Sequence, residues 1–272
     1  MTASMAGFAV EDVLVKAAAE SLPLGQVLLT IGLIGMIGFA TLALSRGEAW
    51  FPPAFLSPAM LIRSAFEVTG RLFYGLAITL TALSTTSAIL QATPLVVVAG
   101  AALIFCEKVG WQRWLAVLAG FAGVLIILQP GADFAALSLL AVVGLMGFAG
   151  RDLATRAAPR GVSNAQLGAL GFAMLALAGC GVLAVSGGAV LPGGRDLTLL
   201  AFASLFAMSG YHALTIAMRT GEVSAVTPFR YTRLIFALAL AMVLFGERPG
   251  PATWIGAALV VGSGIFALTR GK

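Results

Sequence analysis

The sequence predicts an all-α membrane protein of ten transmembrane helices, arranged as two inverted five-helix repeats. Three observations predict it. Of 272 residues, 60% are hydrophobic and only 10% charged, with a mean hydropathy of +1.03, whereas soluble domains are about a quarter charged. The apolar stretches are long and continuous, which excludes the alternating pattern of a β-barrel. A set of charged, aromatic and glycine positions also recurs at a constant offset of 140 residues.

A bilayer core takes roughly 20 apolar residues per helix, so a chain of this length accommodates about ten spans with short loops. The first span, Met1–Ala18, is short and begins at the initiator Met. Either residues are missing upstream or this helix sits shallowly in the membrane. It does not read as a cleavable signal, because it lacks a basic n-region and Glu11 and Asp12 interrupt the apolar run. Leu24–Leu44 follows the turn Ser21-Leu22-Pro23, and Leu61–Thr81 follows Phe51-Pro52-Pro53. Thr85–Cys106 and Trp111–Leu128 complete a first unit, residues 1–132, closed by Gln129-Pro130-Gly131. The second unit, residues 133–272, opens with Leu137–Arg156 and Ala165–Val185. Leu197–Met218 follows Leu191-Pro192-Gly193-Gly194, Ser224–Phe245 comes next, and Trp254–Leu268 follows Arg248-Pro249-Gly250-Pro251.

The duplication rests on specific matches. Gly7-Phe8-Ala9-Val10-Glu11-Asp12 aligns with Gly147-Phe148-Ala149-Gly150-Arg151-Asp152, and Glu107-Lys108 with Glu247-Arg248, both at an offset of 140. Gly110, Trp114, Gln26 and Ser84 pair with Gly250, Trp254, Gln166 and Ser224 at the same offset. Five is odd, so the second copy crosses in the opposite sense. Inverted repeats are a common plan of secondary transporters, with a site near the midplane between the copies. The two units then make one transmembrane transport domain.

Orientation follows from Lys and Arg near the helix ends. Arg46, Arg63, Lys108, Arg113, Arg156, Arg160, Arg219, Arg270 and Lys272 fall on the side of the termini, against Lys16, Arg195 and Arg248 opposite. This bias places both termini in the cytoplasm and the chain in the inner (cytoplasmic) membrane. It also explains the net charge of +5. The basic residues are scattered rather than gathered in a patch, which argues against nucleic acid. Cys106 and Cys180 lie in apolar stretches without metal-ligand spacing and are expected to pack in the core.

The run Glu107-Lys108-Val109-Gly110-Trp111-Gln112-Arg113-Trp114 and the apolar helix after it resemble the signature of EamA-type members of the drug/metabolite transporter superfamily. Phe245-Gly246-Glu247-Arg248 with Trp254-Ile255-Gly256-Ala257 is similar, and Thr93-Pro94 resembles the family proline of the fourth span. Cys106 stands where the family usually has Gly, and Leu234 where the equivalent proline would kink the ninth helix. The resemblance implies a central cavity lined by the first four helices of each half. It implies peripheral fifth and tenth helices, a possible homodimer contact between them, and transport of small organic solutes.

Ionisable groups inside a span cost several kcal/mol unless paired or hydrated, so they are the functional candidates. They are Glu11 and Asp12, Glu67 and Arg71, Arg151 and Asp152, His212, and Arg230 and Arg233. One reading makes them structural ion pairs: Glu67 and Arg71 are spaced i,i+4 on one helix face. Glu11 and Arg151 occupy equivalent repeat positions with opposite charge, which allows a pair or a proton-coupling site. The other reading concerns Arg230 and Arg233, which share a face, with Tyr231 and Thr227 on an adjoining one and no acid in their span. Two guanidinium groups hold a carboxylate or phosphate well, and the alternative is that they pair with Glu67, Asp12 or Asp152 of neighbouring helices. Substrate contacts are therefore assigned to Arg230, Arg233, Tyr231, Glu67, Arg71, Gln91, Tyr74 and His212, with Thr93 and Tyr211 as further hydrogen-bonding groups. The expected partner is a charged or zwitterionic organic solute, in a lipid bilayer.

Other classes are disfavoured. One His is too few for a His-Glu-x-x-His metalloprotease. An intramembrane serine hydrolase using Ser209 and His212 would draw its dyad from a single helix. Gly262-Ser263-Gly264 lies in an apolar helix rather than a phosphate-cradling loop. No ring-like polar pore suits a channel. No cofactor or metal is expected. A proton-coupled drug exporter of the same fold is the alternative within the transporter class.

Overall fold

The computed structural model describes residues 1–80, 89–128, 138–159, 161–245 and 250–270. Ten helices of twelve or more residues make up the described chain, and no strand occurs among the described residues. They are α1 (Thr2–Ala18), α2 (Leu24–Ser45), α3 (Pro58–Leu80), α4 (Thr93–Ile104), α5 (Trp111–Leu128), α6 (Ser138–Arg156), α7 (Asn164–Ser186), α8 (Gly194–Thr220), α9 (Thr232–Phe245) and α10 (Pro251–Arg270). A helix satisfies its backbone groups within itself, which is what lipid demands. By length and composition α2, α7 and α8 can cross a membrane, and α4, α5 and α10 carry shorter apolar stretches. Leu103, Ile37 and Leu177 point outward, Leu103 with 82% of its surface exposed. That is the pattern of a bundle whose surroundings are apolar. Ser84, Arg160, Gly246, Glu247, Arg248, Lys272, the start of the expected fourth span and the turn at Gln129-Pro130-Gly131 lie outside the described residues.

The helices pack in pairs: α2 on α7, α3 on α6, α1 on α8 and α5 on α10. Lipid tails give no hydrophobic drive between helices, so small residues that allow close approach carry the packing. A Cβ on Gly147 would stand 2.4 Å from the Gly70 amide nitrogen, and one on Gly7 3.1 Å from Gly210 Cα. Gly144 and Gly150 also face α3, against Tyr74 and Phe66. The side-chain amide of Gln26 holds the backbone of Val190 through two hydrogen bonds of 2.6 and 2.9 Å. Gln166 reaches the Ala49 carbonyl at 2.7 Å.

Three sequence expectations are corrected. The ninth span is broken: Val223–Val226 makes one helical turn, Thr227–Tyr231 is 3₁₀, and only then does α9 run. Pro228 lacks the N–H needed to continue an α-helix, so it supplies the interruption that Leu234 was expected to forgo. Both cysteines are exposed rather than packed in the core. Cys106 adopts φ +52°, a conformation that favours glycine, which accounts for the family preference at that position.

Candidate functional site

A cavity of about 140 Å³ opens between the helices. Its walls are Phe8, Glu11 and Asp12 of α1, Arg71 and Tyr74 of α3, Gln91, Thr93 and Pro94 at the head of α4, Phe148 and Arg151 of α6, and Arg230 and Arg233 beside the broken ninth span. The expectation that the first four helices of each half line it is too broad, since α2, α7 and α8 contribute no lining residue. Glycine contacts press α2 and α7 together, with a Cβ on Gly179 falling 2.4 Å from the Leu29 amide, which leaves no room there for a cavity wall.

The charged groups fall into two arrangements. In the first, Asp12 receives Arg233 Nε at 2.9 Å and Nη2 at 2.5 Å, with the Phe8 ring 5.5 Å from the guanidinium. This pair is partly open, its side chains 45% and 24% exposed. The second arrangement is buried. Arg151 Nη1 lies 3.3 Å from both oxygens of Glu67, and its Nε sits 2.7 Å from Asp152 Oδ1, off the hydrogen-bonding line. Asp152 also takes Arg230. Glu67 takes Arg71 at 3.3 Å and Arg63 at 3.7 Å, and accepts a hydrogen bond from Tyr211 Oη at 3.0 Å. Arg63 donates to Thr155 at 3.1 Å and to Tyr211. Carboxylates withdrawn this far from water need such company, since a buried charge costs several kcal/mol without it.

The profile of the EamA-like transporter family matches the chain twice, over residues 1–129 and 133–269. The chain belongs to the EamA-like transporter family. Through it the chain joins the drug/metabolite transporter superfamily. Riboflavin transporters of Rhizobium johnstonii and Vibrio cholerae are each 30% identical over 66% of this chain. The matched part spans 60% of the length of those two proteins. An S-adenosylmethionine uptake transporter of Rickettsia bellii is 26% identical over 73% of this chain and 67% of its own length. A solved crystal structure, 20% identical over 99% of both chains with a TM-score of 0.82, has the same fold.

In this EamA-family chain, Arg230, Arg233, Arg71, Gln91, Tyr74, Glu11, Asp12 and Arg151 line the same cavity. Arg230 and Arg233 are not free of acids: Asp152 and Asp12 arrive from α6 and α1. Glu11 and Arg151 do not pair, because Arg151 turns to Glu67 and Asp152, and Glu11 forms no ion pair among the described residues.

Three assigned contacts lie elsewhere. Glu67 is fully buried behind the wall, where its three arginines enclose it. Tyr231 is buried against Val124, Leu234 and Val260, its hydroxyl donating to the Val117 carbonyl at 3.1 Å. His212 stacks beside Phe39 at 6.1 Å, away from the cavity. Ser209 donates to the Phe206 carbonyl of its own helix at 3.0 Å, so no hydrolytic dyad with His212 forms.

Arg63, counted in the sequence among the positive charges near the helix ends, is completely buried. The signal was present: Arg63, Glu67 and Arg71 repeat at i,i+4 along one face of α3.

Proposed function

We propose that this protein is a secondary transporter carrying a small charged or zwitterionic organic metabolite across the cytoplasmic membrane by alternating access. One observation carries the reading: a cavity ringed by Arg71, Arg151, Arg230 and Arg233, with Glu11 and Asp12, inside a bundle whose outer surface is apolar. Intramembrane charge around a cavity marks a solute pathway. The broken ninth span beside it is the kind of interrupted helix that transporters place at their sites.

The moving parts are two inverted five-helix repeats, residues 1–132 and 133–272. Several contacts support this division. The Gly7 crossing of Gly210 and the Gly147 crossing of Gly70 exchange under the offset of 140. Gln26 and Gln166, also 140 apart, each grip a loop of the opposite half, at Val190 and Ala49. With Arg63 removed from the count, eight basic residues against three still favour cytoplasmic termini. The relatives named for riboflavin and S-adenosylmethionine uptake support a metabolite as cargo.

The test is exchange in proteoliposomes loaded with a mixture of amino acids, organic acids, vitamins and nucleotides. A solute lost from protein-containing vesicles and retained in empty ones is expected. Identical contents in both contradicts the reading. A second reading, proton coupling, is favoured by Glu11, which is buried in the cavity wall without an ion pair among the described residues. Glu11→Gln should then abolish acceleration of uptake by a pH gradient while leaving exchange at equal pH. Uptake that ignores the gradient in the unmodified protein removes this version.

A further inference from the structure

The ion pairs around the cavity do not balance. Glu67 receives Arg63, Arg71 and Arg151, and Asp152 receives Arg151 and Arg230, so four guanidinium groups share two carboxylates in one connected network. Asp12 and Arg233 form a separate pair. Glu11 lies in the wall and forms no ion pair among the described residues. Among the described residues five arginines thus meet four acids, even with Glu11 ionised. Arginine does not shed its proton in proteins, so the excess cannot be relieved by titration of the cations. In a site withdrawn from water, an uncompensated cation is costly and an added anion is worth more than in bulk solvent.

The excess is directed. Arg63 is fully buried, whereas Arg71, Arg151 and Arg230 each present an edge to the cavity, 17%, 6% and 13% exposed. The guanidinium fork matches carboxylate and phosphate oxygens. Tyr74 and Phe148, with ring centroids 5.7 Å apart, give the same cavity an aromatic side. Its 140 Å³ is close to the roughly 150 Å³ that accepts a benzene ring.

We infer that the solute is a small organic anion whose carboxylate or phosphate is held among Arg71, Arg151 and Arg230, with Asp12 competing against it for Arg233. This rests on the transport reading for the cavity's role and goes past it by setting the sign of the cargo's charge. An uncharged flavin leaves the excess positive charge uncovered, and S-adenosylmethionine, whose one carboxylate comes with an ammonium and a sulfonium, adds to it.

The experiment is the melting temperature of the purified full-length chain in detergent, at constant ionic strength. The probes are sodium benzoate, succinate and phosphate, set against sodium chloride, choline chloride and riboflavin. At least one of the three anions is expected to raise the melting temperature saturably above chloride. Arg71→Gln should weaken its apparent affinity about tenfold. Asp12→Asn should tighten it about fivefold by freeing Arg233, a gain that a folding defect does not produce. Anions that act no better than chloride, or stabilisation by choline or riboflavin alone, overturn the inference, as does weaker anion binding by Asp12→Asn. Vesicle uptake separates the two claims. Anion binding without anion uptake contradicts transport, whereas uptake of riboflavin or choline with no anion binding contradicts only the charge assignment.

Discussion

Asp12 and Asp152 stand 140 residues apart, one in each of the two stretches that match the family, and each takes an arginine from the segment around the broken ninth span. Their surroundings nevertheless differ. Asp152 is almost completely buried and belongs to a network that runs through Arg151 and Glu67 to Arg63 and Tyr211. Asp12 is half open and holds Arg233 alone. The residue before each aspartate explains the difference. Before Asp152 it is Arg151, a cation that joins Asp152 to Glu67; before Asp12 it is Glu11, a carboxyl group that forms no ion pair among the described residues. α8 offers no counterpart to Glu67, because the residue 140 positions after it is Ala207. One aspartate thus sits in a buried network and the other in a half-open pair.

Breaking the buried network should have the largest effect. Glu67→Gln leaves Arg63 buried with no ion-pair partner among the described residues and Arg151 with Asp152 alone, and should destabilise by about 3–5 kcal/mol. The drop should be visible as a large fall in melting temperature and in folded yield. A loss near zero would mean that the network is not holding the bundle.

The helix crossings come next. Gly147→Ala places a methyl group 2.4 Å from the Gly70 amide, backbone that cannot step aside, whereas Gly7→Ala meets its neighbours at 3.1 Å. Overpacking costs about 1–3 kcal/mol, so Gly147→Ala should sit at the upper end and Gly7→Ala at or below the lower. Equal losses would deny that the two crossings are packed to different tightness. Ser209→Ala marks the bottom of the scale: a hydroxyl that only caps its own helix carbonyl should leave stability within about 0.5 kcal/mol and solute exchange unchanged.

Most of the helical frame was legible from hydropathy, because lipid imposes length and composition on each span. α5 begins and ends where expected, and α2, α6, α7 and α8 shift by no more than a few residues. The charged candidates were legible too, since any ionised side chain inside such a helix stands out. What hydropathy does not report is depth and direction. Arg63 looked like a loop-side charge because it sits near the start of α3, and only the fold turns it inward onto Tyr211 and Thr155. Tyr231 shares its segment with Arg230 but faces the α5 and α10 side, since the 3₁₀ turn changes the angular step between residues. Pro228 is the one residue of that segment whose chemistry forbids a continuous helix.

Melting Asp12→Asn and Asp152→Asn side by side tests whether one aspartate holds the bundle while the other holds only a half-open pair. Asp152→Asn is expected to lose about 3–5 kcal/mol, while Asp12→Asn changes by no more than about 1 kcal/mol. Equal losses in the two variants, or a larger loss for Asp12→Asn, would contradict it.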